Sequence, residues 1–340
     1  MKNWLIVALE NFLKQILYPT RILLNSLFSI WGWRIMMIKE EYSFHHIEDY
    51  LYDNIDLLIA GFPSAEERSS FFSKLWASKN KDILFLALEN NETVIIRLIC
   101  NNTVRIDQKC DLCVGLPRLL KCIGVSDKDI LLDMSSLDNV LIMFLTKQLL
   151  SKVTPNSLFA SYIRPERYIS ESGNIGYELC QQIGAVDTVP SFTKREAENQ
   201  TLCAFLGFEG VRLKGILEAV HSFEKLIPIV AFPSGTPQWY NVTMWNSMDI
   251  LQSEGKNLSV HKCYSESIFE AVNLLNSIIA QDETVVLAPL GTRPHSMACA
   301  IFACHHQATR ILYDFVVESD HRAIGVADIT VYHLSSFIKS

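Results

Sequence analysis

The chain has 340 residues, 49% of them hydrophobic and 20% charged, with a formal net charge of −7 from 30 basic and 37 acidic side chains. That balance belongs to a folded protein with room for one large domain or two ordinary ones, and excludes an intrinsically disordered chain. It also lacks the net basic character that sequence-independent nucleic-acid binding needs, while leaving room for a local positive site that holds a small anion.

Residues 1–38 are apolar but interrupted by Glu10, Lys14, Arg21 and Arg34. Their longest uncharged run, Ile22 to Trp33, is about 12 residues, short of the roughly 18 to 20 that cross a bilayer. The segment reads as an extension of the fold: a membrane-surface segment, a packing helix, or residues upstream of a start at Met36 or Met37. Membrane contact is expected only if this extension belongs to the mature protein.

Residues 39–165 read as a first α/β unit, because short apolar runs alternate with longer amphipathic ones. "IDLLIAGF" is a buried strand and "SAEERSSFFSKLWAS" its helix; "DILFLALE", "TVIIRLIC" and "DILLDMSS" are further strands. "LDNVLIMFLTKQLLSKV" is an apolar helix and "SLFASYI" closes the unit. Residues 166–199 are more polar and read as a connection. From 200 to 340 the plan repeats: strand "TLCAFLGF", helix "EGVRLKGILEAVHSF", strand "KLIPIVAF", helix "SIFEAVNLLNSIIAQ", strand "TVVLAPL", helix "HSMACAIFACHH" and strand "TRILYDFVV". "GVADITVYHLSSF" adds an edge strand. The expected fold is α/β, with two tandem Rossmann-like units, mainly parallel sheets and helices on both faces, related by internal duplication.

The nine cysteines, at 100, 110, 113, 122, 180, 203, 263, 299 and 304, lie largely within apolar runs. An odd count without a framework of spacings points to a reducing, cytoplasmic setting. Cys110 and Cys113 have metal or redox spacing, but no second such pair occurs, so no metal site is assigned.

In an open parallel sheet, ligands bind beyond the carboxyl ends of the strands, where helix N-termini present unpaired N–H groups. "PLGTRPH" suits that role best. Gly291 opens the backbone, Thr292 and Arg293 can hold a phosphate, and His295 can add a proton donor or lie on the helix surface. Asp133, Ser135 and Ser136 are its counterparts in the first unit, with an N-cap as the alternative reading. The Gly-Phe turns supply Gly61 with Glu67 and Arg68, and Gly207 and Phe208 with Glu209 and Arg212. Glu209 or Glu67 would be the acid or nucleophile of an enzymatic reading. Asp314 ends a strand that reaches the same crevice. "AFPSGTPQWYN" reads as an aromatic loop that either covers a purine or seals the core edge. The phosphate loop of P-loop nucleotidases is missing, and the full dinucleotide fingerprint is not completed.

With "GFEGVR", "DMSS" and "PLGTRPH" in that order, residues 54–335 resemble the CARF and SAVED class of Rossmann-like cyclic-nucleotide sensors of prokaryotic defence. The resemblance implies ligand contacts from Ser135, Ser136, Gly291, Thr292 and Arg293, and no cofactor. It also implies a separate effector chain or a homodimer, since no effector domain follows the sensor. The leading expectation is thus a nucleotide-binding module. An enzyme cleaving the glycosidic bond of a nucleoside or NAD-like substrate is the second, and a scaffold subunit without a ligand the third.

Overall fold

Short β-branched runs become strands, and apolar runs longer than about ten residues become helices, as their lengths require. The computed structural model describes residues 41–44 and 55–335, apart from 170–176, 178, 193–195, 198, 221, 256–257 and 320–321. The N-terminal extension lies outside the described residues. No helix among those described is long and apolar enough to cross a membrane.

The chain begins β1 (Glu41–Phe44), β2 (Leu57–Gly61), α1 (Glu67–Ser78), β3 (Asp82–Leu88), β4 (Thr93–Cys100) and β5 (Thr103–Asp111). It continues through α2 (Gly115–Cys122), β6 (Asp129–Asp133), α3 (Asn139–Ser151) and β7 (Ser157–Ile163). Short strands β8 (Arg167–Tyr168), β9 (Cys180–Gln182) and β10 (Asp187–Thr188) occupy the connection. There follow β11 (Thr201–Phe205), α4 (Gly210–Ala219), β12 (Lys225–Ala231), α5 (Pro237–Glu254), β13 (His261–Cys263) and α6 (Ile268–Ile278). The last elements are β14 (Val285–Pro289), α7 (Arg293–His305), β15 (Thr309–Tyr313), β16 (Val317–Glu318), β17 (Ala323–Ile324) and β18 (Ile329–His333).

These strands make an eight-stranded sheet, β1-β18-β7-β6-β2-β3-β4-β5, and a six-stranded sheet, β10-β15-β14-β11-β12-β13. Two-stranded ribbons β16-β9 and β17-β8 complete the α/β fold. The strands β7-β6-β2-β3 are parallel, as are β15-β14-β11-β12-β13; antiparallel strands extend both sheets. Within each sheet the winding reverses once, between β2 and β6 and between β11 and β14. That reversal opens a crevice at the carboxyl ends of the strands.

Two local expectations change. The segment from Gly325 does not edge the second sheet: β18 inserts antiparallel beside β7 in the first, and Glu40–Ser340 forms one unit. Thr103–Asp111, polar and exposed for most of its length, forms edge strand β5. "AFPSGTPQWYN" is only partly a loop, because Pro237 opens α5 at a position where its missing N–H costs little.

The core explains the uniformly apolar helices. Residues Val140 to Leu145 of α3 are all buried, as are all residues from Arg293 to Ala303 of α7. A helix apolar on every side must be covered on every side, and α3 and α7 pack against each other. On the outer side of the first sheet, Phe72 and Trp76 of α1 join Leu58, Ile83 and Leu131. In the second, Leu213 and Ile216 of α4 join Leu202, Val230 and Val286.

Two glycines set how closely the strand exits approach. A Cβ on Gly61 would lie 1.9 Å from the Ser136 carbonyl oxygen, and one on Gly207 would lie 2.2 Å from that of Leu290. In both cases the obstacle is backbone, which a rotamer change cannot relieve. Gly207→Ala and Gly61→Ala are each expected to lower the unfolding free energy by about 1–3 kcal/mol, read from urea midpoints at constant m-value. Alanine variants as stable as the parent would show that the close approach is dispensable.

Candidate functional site

A parallel strand hands the chain to the N-terminus of the helix that follows, so each sheet gathers helix N-termini at one end. Here those ends surround one cavity that is open to solvent on one side. Arg68 of α1, Asn139 of α3 and Arg212 of α4 reach its wall, as do Trp239 of α5 and Arg293 of α7. Ser265 and Glu266, just ahead of α6, complete the set. Among the described α-helices, α6 itself and α2, which follows an antiparallel strand, contribute no residue.

Five charges form a continuous chain in and just behind this wall, Glu66, Arg68 and Arg293 buried and Arg322 and Glu318 partly buried. Arg68 Nε donates to Glu66 Oε2 at 2.8 Å, and Arg322 Nε donates to Glu66 Oε1 at 3.1 Å. Arg322 Nη2 donates to Glu318 Oε2 at 2.5 Å, and Arg293 Nη2 reaches the same oxygen at 3.0 Å. Burial alone would raise the Glu318 carboxyl, but Arg293 and Arg322 outweigh it and hold the group at about 2. Glu66 is likewise held below its usual range, Arg68 and Arg322 outweighing its burial. Three guanidiniums against two carboxylates leave one net positive charge. Arg293 Nε is buried with no hydrogen-bond partner, as is Ser265 Oγ in the same wall.

A second face of the cavity is aromatic. Tyr168 lies 5.3 Å from Phe208 and 5.0 Å from Trp239, ring centre to ring centre. Such a surface accepts a planar ring by stacking. Two further arginines stand near it. Arg212 makes a bidentate pair with Asp314 at 2.6 and 2.7 Å, and Arg164 pairs with Glu266 at 2.9 Å. Burial outweighs Arg164 and raises the Glu266 carboxyl above its usual range.

The residues expected from sequence divide clearly. Gly207, Phe208, Glu209, Arg212, Gly291, Thr292, Arg293 and Arg68 all border the cavity. Glu209, however, accepts hydrogen bonds from the Leu179 and Cys180 N–H groups, each at 3.0 Å, and from the Cys180 thiol at 3.1 Å. It anchors β9, so its carboxylate does not stand ready as an acid or nucleophile. Glu67 is exposed on α1, outside the cavity wall; its neighbour Glu66 is the buried one.

Thr292 caps α7, accepting from His295 N–H and donating to the Ser265 carbonyl at 2.7 Å. Asp133, Ser135 and Ser136 are internal braces and not cavity residues. Ser136 Oγ accepts from Gly61 N–H and donates to Asp133, while Ser135 Oγ accepts from Ile163 N–H. These bonds tie the exits of β2, β6 and β7 together. Neither serine caps α3, whose N-cap is Asp138. Gly61 has the steric role already described. Asp314 lies behind Arg212, fully buried. His295 sits beneath the loop, its Nε2 3.0 Å from the Tyr264 carbonyl and its ring against Phe205.

Sequence reasoning missed Glu318, Arg322, Arg164 and Tyr168, and of the two glutamates after Gly61 it singles out Glu67 where Glu66 holds Arg68. The spacing of Glu318 and Arg322 was the available signal, but no strand pattern ties that tail to the cavity. Among the described residues no group of three or more His, Cys, Asp or Glu side chains is placed to hold a metal ion. Compared with known proteins, the chain matches no family model and no curated sequence.

Burial of His295 lowers its pKa from 6.5 to about 4, so the folded protein resists its protonation. The unfolded chain takes up that proton first, and stability attributable to His295 is lost as pH falls from about 6.5 towards 4. Asp133, raised by burial to about 6, has the opposite sign over the same window. Relative to the parent, His295→Gln is therefore expected to gain about 1.4 kcal/mol per pH unit between pH 6 and 4.5, measured by denaturant unfolding. Parallel stability curves for the two proteins would contradict a neutral, buried imidazole.

Proposed function

We propose that this chain is a tandem Rossmann-like binding protein, formed by internal duplication, that holds a nucleotide or nucleotide-derived anion between its two units. One observation carries the reading: a single cavity combines a net positive arginine cluster, the N-termini of helices from both units, and an aromatic wall. A phosphate fits the first two and a base the third. Arg293 takes the phosphate, aided by Arg68 and Arg322, while Phe208, Tyr168 and Trp239 receive the base.

Duplication is supported by corresponding positions. The orders β7-β6-β2-β3 and β15-β14-β11-β12 match. Gly61 and Gly207 each abut the loop that follows the neighbouring strand across the winding reversal, β6 and β14. Glu66 and Glu209 are the N-caps of α1 and α4, and Asn139 and Arg293 open α3 and α7. On this reading the protein is a cytoplasmic CARF- or SAVED-like sensor in prokaryotic defence, working with a separate effector. The engagement of Glu209 by β9 and the exposure of Glu67 favour binding over glycosidic cleavage.

Calorimetric titration with a panel of nucleotides tests the assignment. Arg293→Ala is expected to weaken the best ligand by about tenfold or more, the scale of one charge-assisted hydrogen bond. It is also expected to lower the melting temperature, because Glu318 loses one of its two guanidinium partners; binding is compared at a temperature where both proteins are folded. Binding as tight as that of the parent would refute it. Chromatography of NAD and nucleosides after incubation separates the alternatives: saturable binding without products supports a sensor, and release of free base supports cleavage.

A further inference from the structure

We infer that β5 is a dimerisation edge, on which a second copy of this chain adds its own β5 antiparallel, centred on Gln108. Strand β5 ends the eight-stranded sheet, pairing with β4 on one side only among the described residues. The bond from Leu112 N–H to the Glu92 carbonyl sets the phase of the β4-β5 ladder. Hydrogen-bonded pairs alternate in an antiparallel ladder. Ile106, Gln108 and Cys110 therefore bond inward to β4, while Asp107, Lys109 and Asp111 turn their main-chain N–H and C=O groups outward. The ladder shifts between Leu98 and Ile99, placing Arg105 at the irregularity and leaving Ile106–Asp111 as the regular stretch.

Charge selects the register and the occupant. Centred on Gln108, the outward pairing sets Asp107 opposite Lys109 of the second copy, and Lys109 opposite its Asp107. Each of these pairs exchanges two main-chain hydrogen bonds. Centring one residue earlier sets Asp107 against itself. Centring one residue later sets Lys109 against itself and Asp107 against Asp111. Like charges directly opposite are destabilising and opposite charges stabilising, so the strand is complementary to itself in this register. Val104 and Val114, 51% exposed each, flank the same edge and supply apolar area. The strand-to-strand contact is small, so the dimer forms in a concentration-dependent way.

Sedimentation of the full chain over a concentration series tests the inference. The parent is expected to dimerise, Lys109→Asp to be monomeric, and Asp107→Lys combined with Lys109→Asp to dimerise again, because the swap restores opposite charges. The internal partners of these residues, Arg97 and Glu89, are exposed pairs of small energetic weight, so melting temperatures should hardly move. Gln108→Cys provides an independent reading. In the proposed register the two copies of residue 108 face each other at a non-hydrogen-bonded site, about 4.5 Å between Cα atoms, within reach of a disulfide. Mild oxidation should cross-link Gln108→Cys and leave Thr103→Cys and the parent uncross-linked. A parent that stays monomeric throughout overturns the inference. So does a dimer that ignores both the charge reversal and the cysteine at 108.

Discussion

The cavity depends on the chain of charges Arg68–Glu66–Arg322–Glu318–Arg293. Taking five ionised groups out of water is costly, and only mutual pairing offsets the cost. Each carboxylate here lies between two guanidiniums, an arrangement that satisfies Glu66 and Glu318 but leaves the arginines in excess by one. The pairs also join three distant stretches of chain: the exit of β2, the N-terminus of α7, and the segment after β15. Loss of one member would leave a neighbour buried without its partner and loosen the approach of all three.

Nothing local would bring those stretches together; the sheets do so. Parallel strands aim every carboxyl end, and the helix N-terminus beyond it, in one direction. The apolar pair α3 and α7 packs at the centre, so the corresponding ends of both sheets border the same space. Helix dipoles then add positive potential where the arginines already stand. Strand β18, returning from the far end of the chain to the first sheet, closes the arrangement covalently as well as by packing.

Much of this was legible in the residues. Strands such as "SLFASYI" and "TVVLAPL" announce themselves by apolar content and length, and the strand-exit loops follow from them. Arg293, Arg212, Arg68 and Phe208 could therefore be placed at the ligand end of the fold. What sequence does not carry is the direction and company of a side chain. Ser135 and Ser136 look as ready for phosphate as Arg293, yet their hydroxyls hold the backbones of Gly61 and Ile163. Glu67 and Glu66 are indistinguishable by type; the extended N-cap Glu66 is buried, while Glu67, the first helical residue, is exposed. Glu318 and Arg322 lie in a stretch of two-residue strands, too short for any periodicity to assign. Their place is set by tertiary ion pairs.

The same accounting bears on whether the cavity binds or reacts. A nucleophile or general base needs a lone pair that can reach the substrate. Of the carboxylates in the wall, Glu209 holds two backbone N–H groups and a thiol, Glu266 holds Arg164, and Glu318 holds Arg293 and Arg322. The wall's cysteine, Cys180, is pushed up to about 12 by burial, with its hydrogen bond to Glu209 adding to the rise, so it remains a thiol. The groups with capacity left are donors: Arg293 Nε and the Ser265 hydroxyl. On the proposed reading these engaged carboxylates leave the wall's unsatisfied donors for an anion, which supplies what the odd guanidinium lacks.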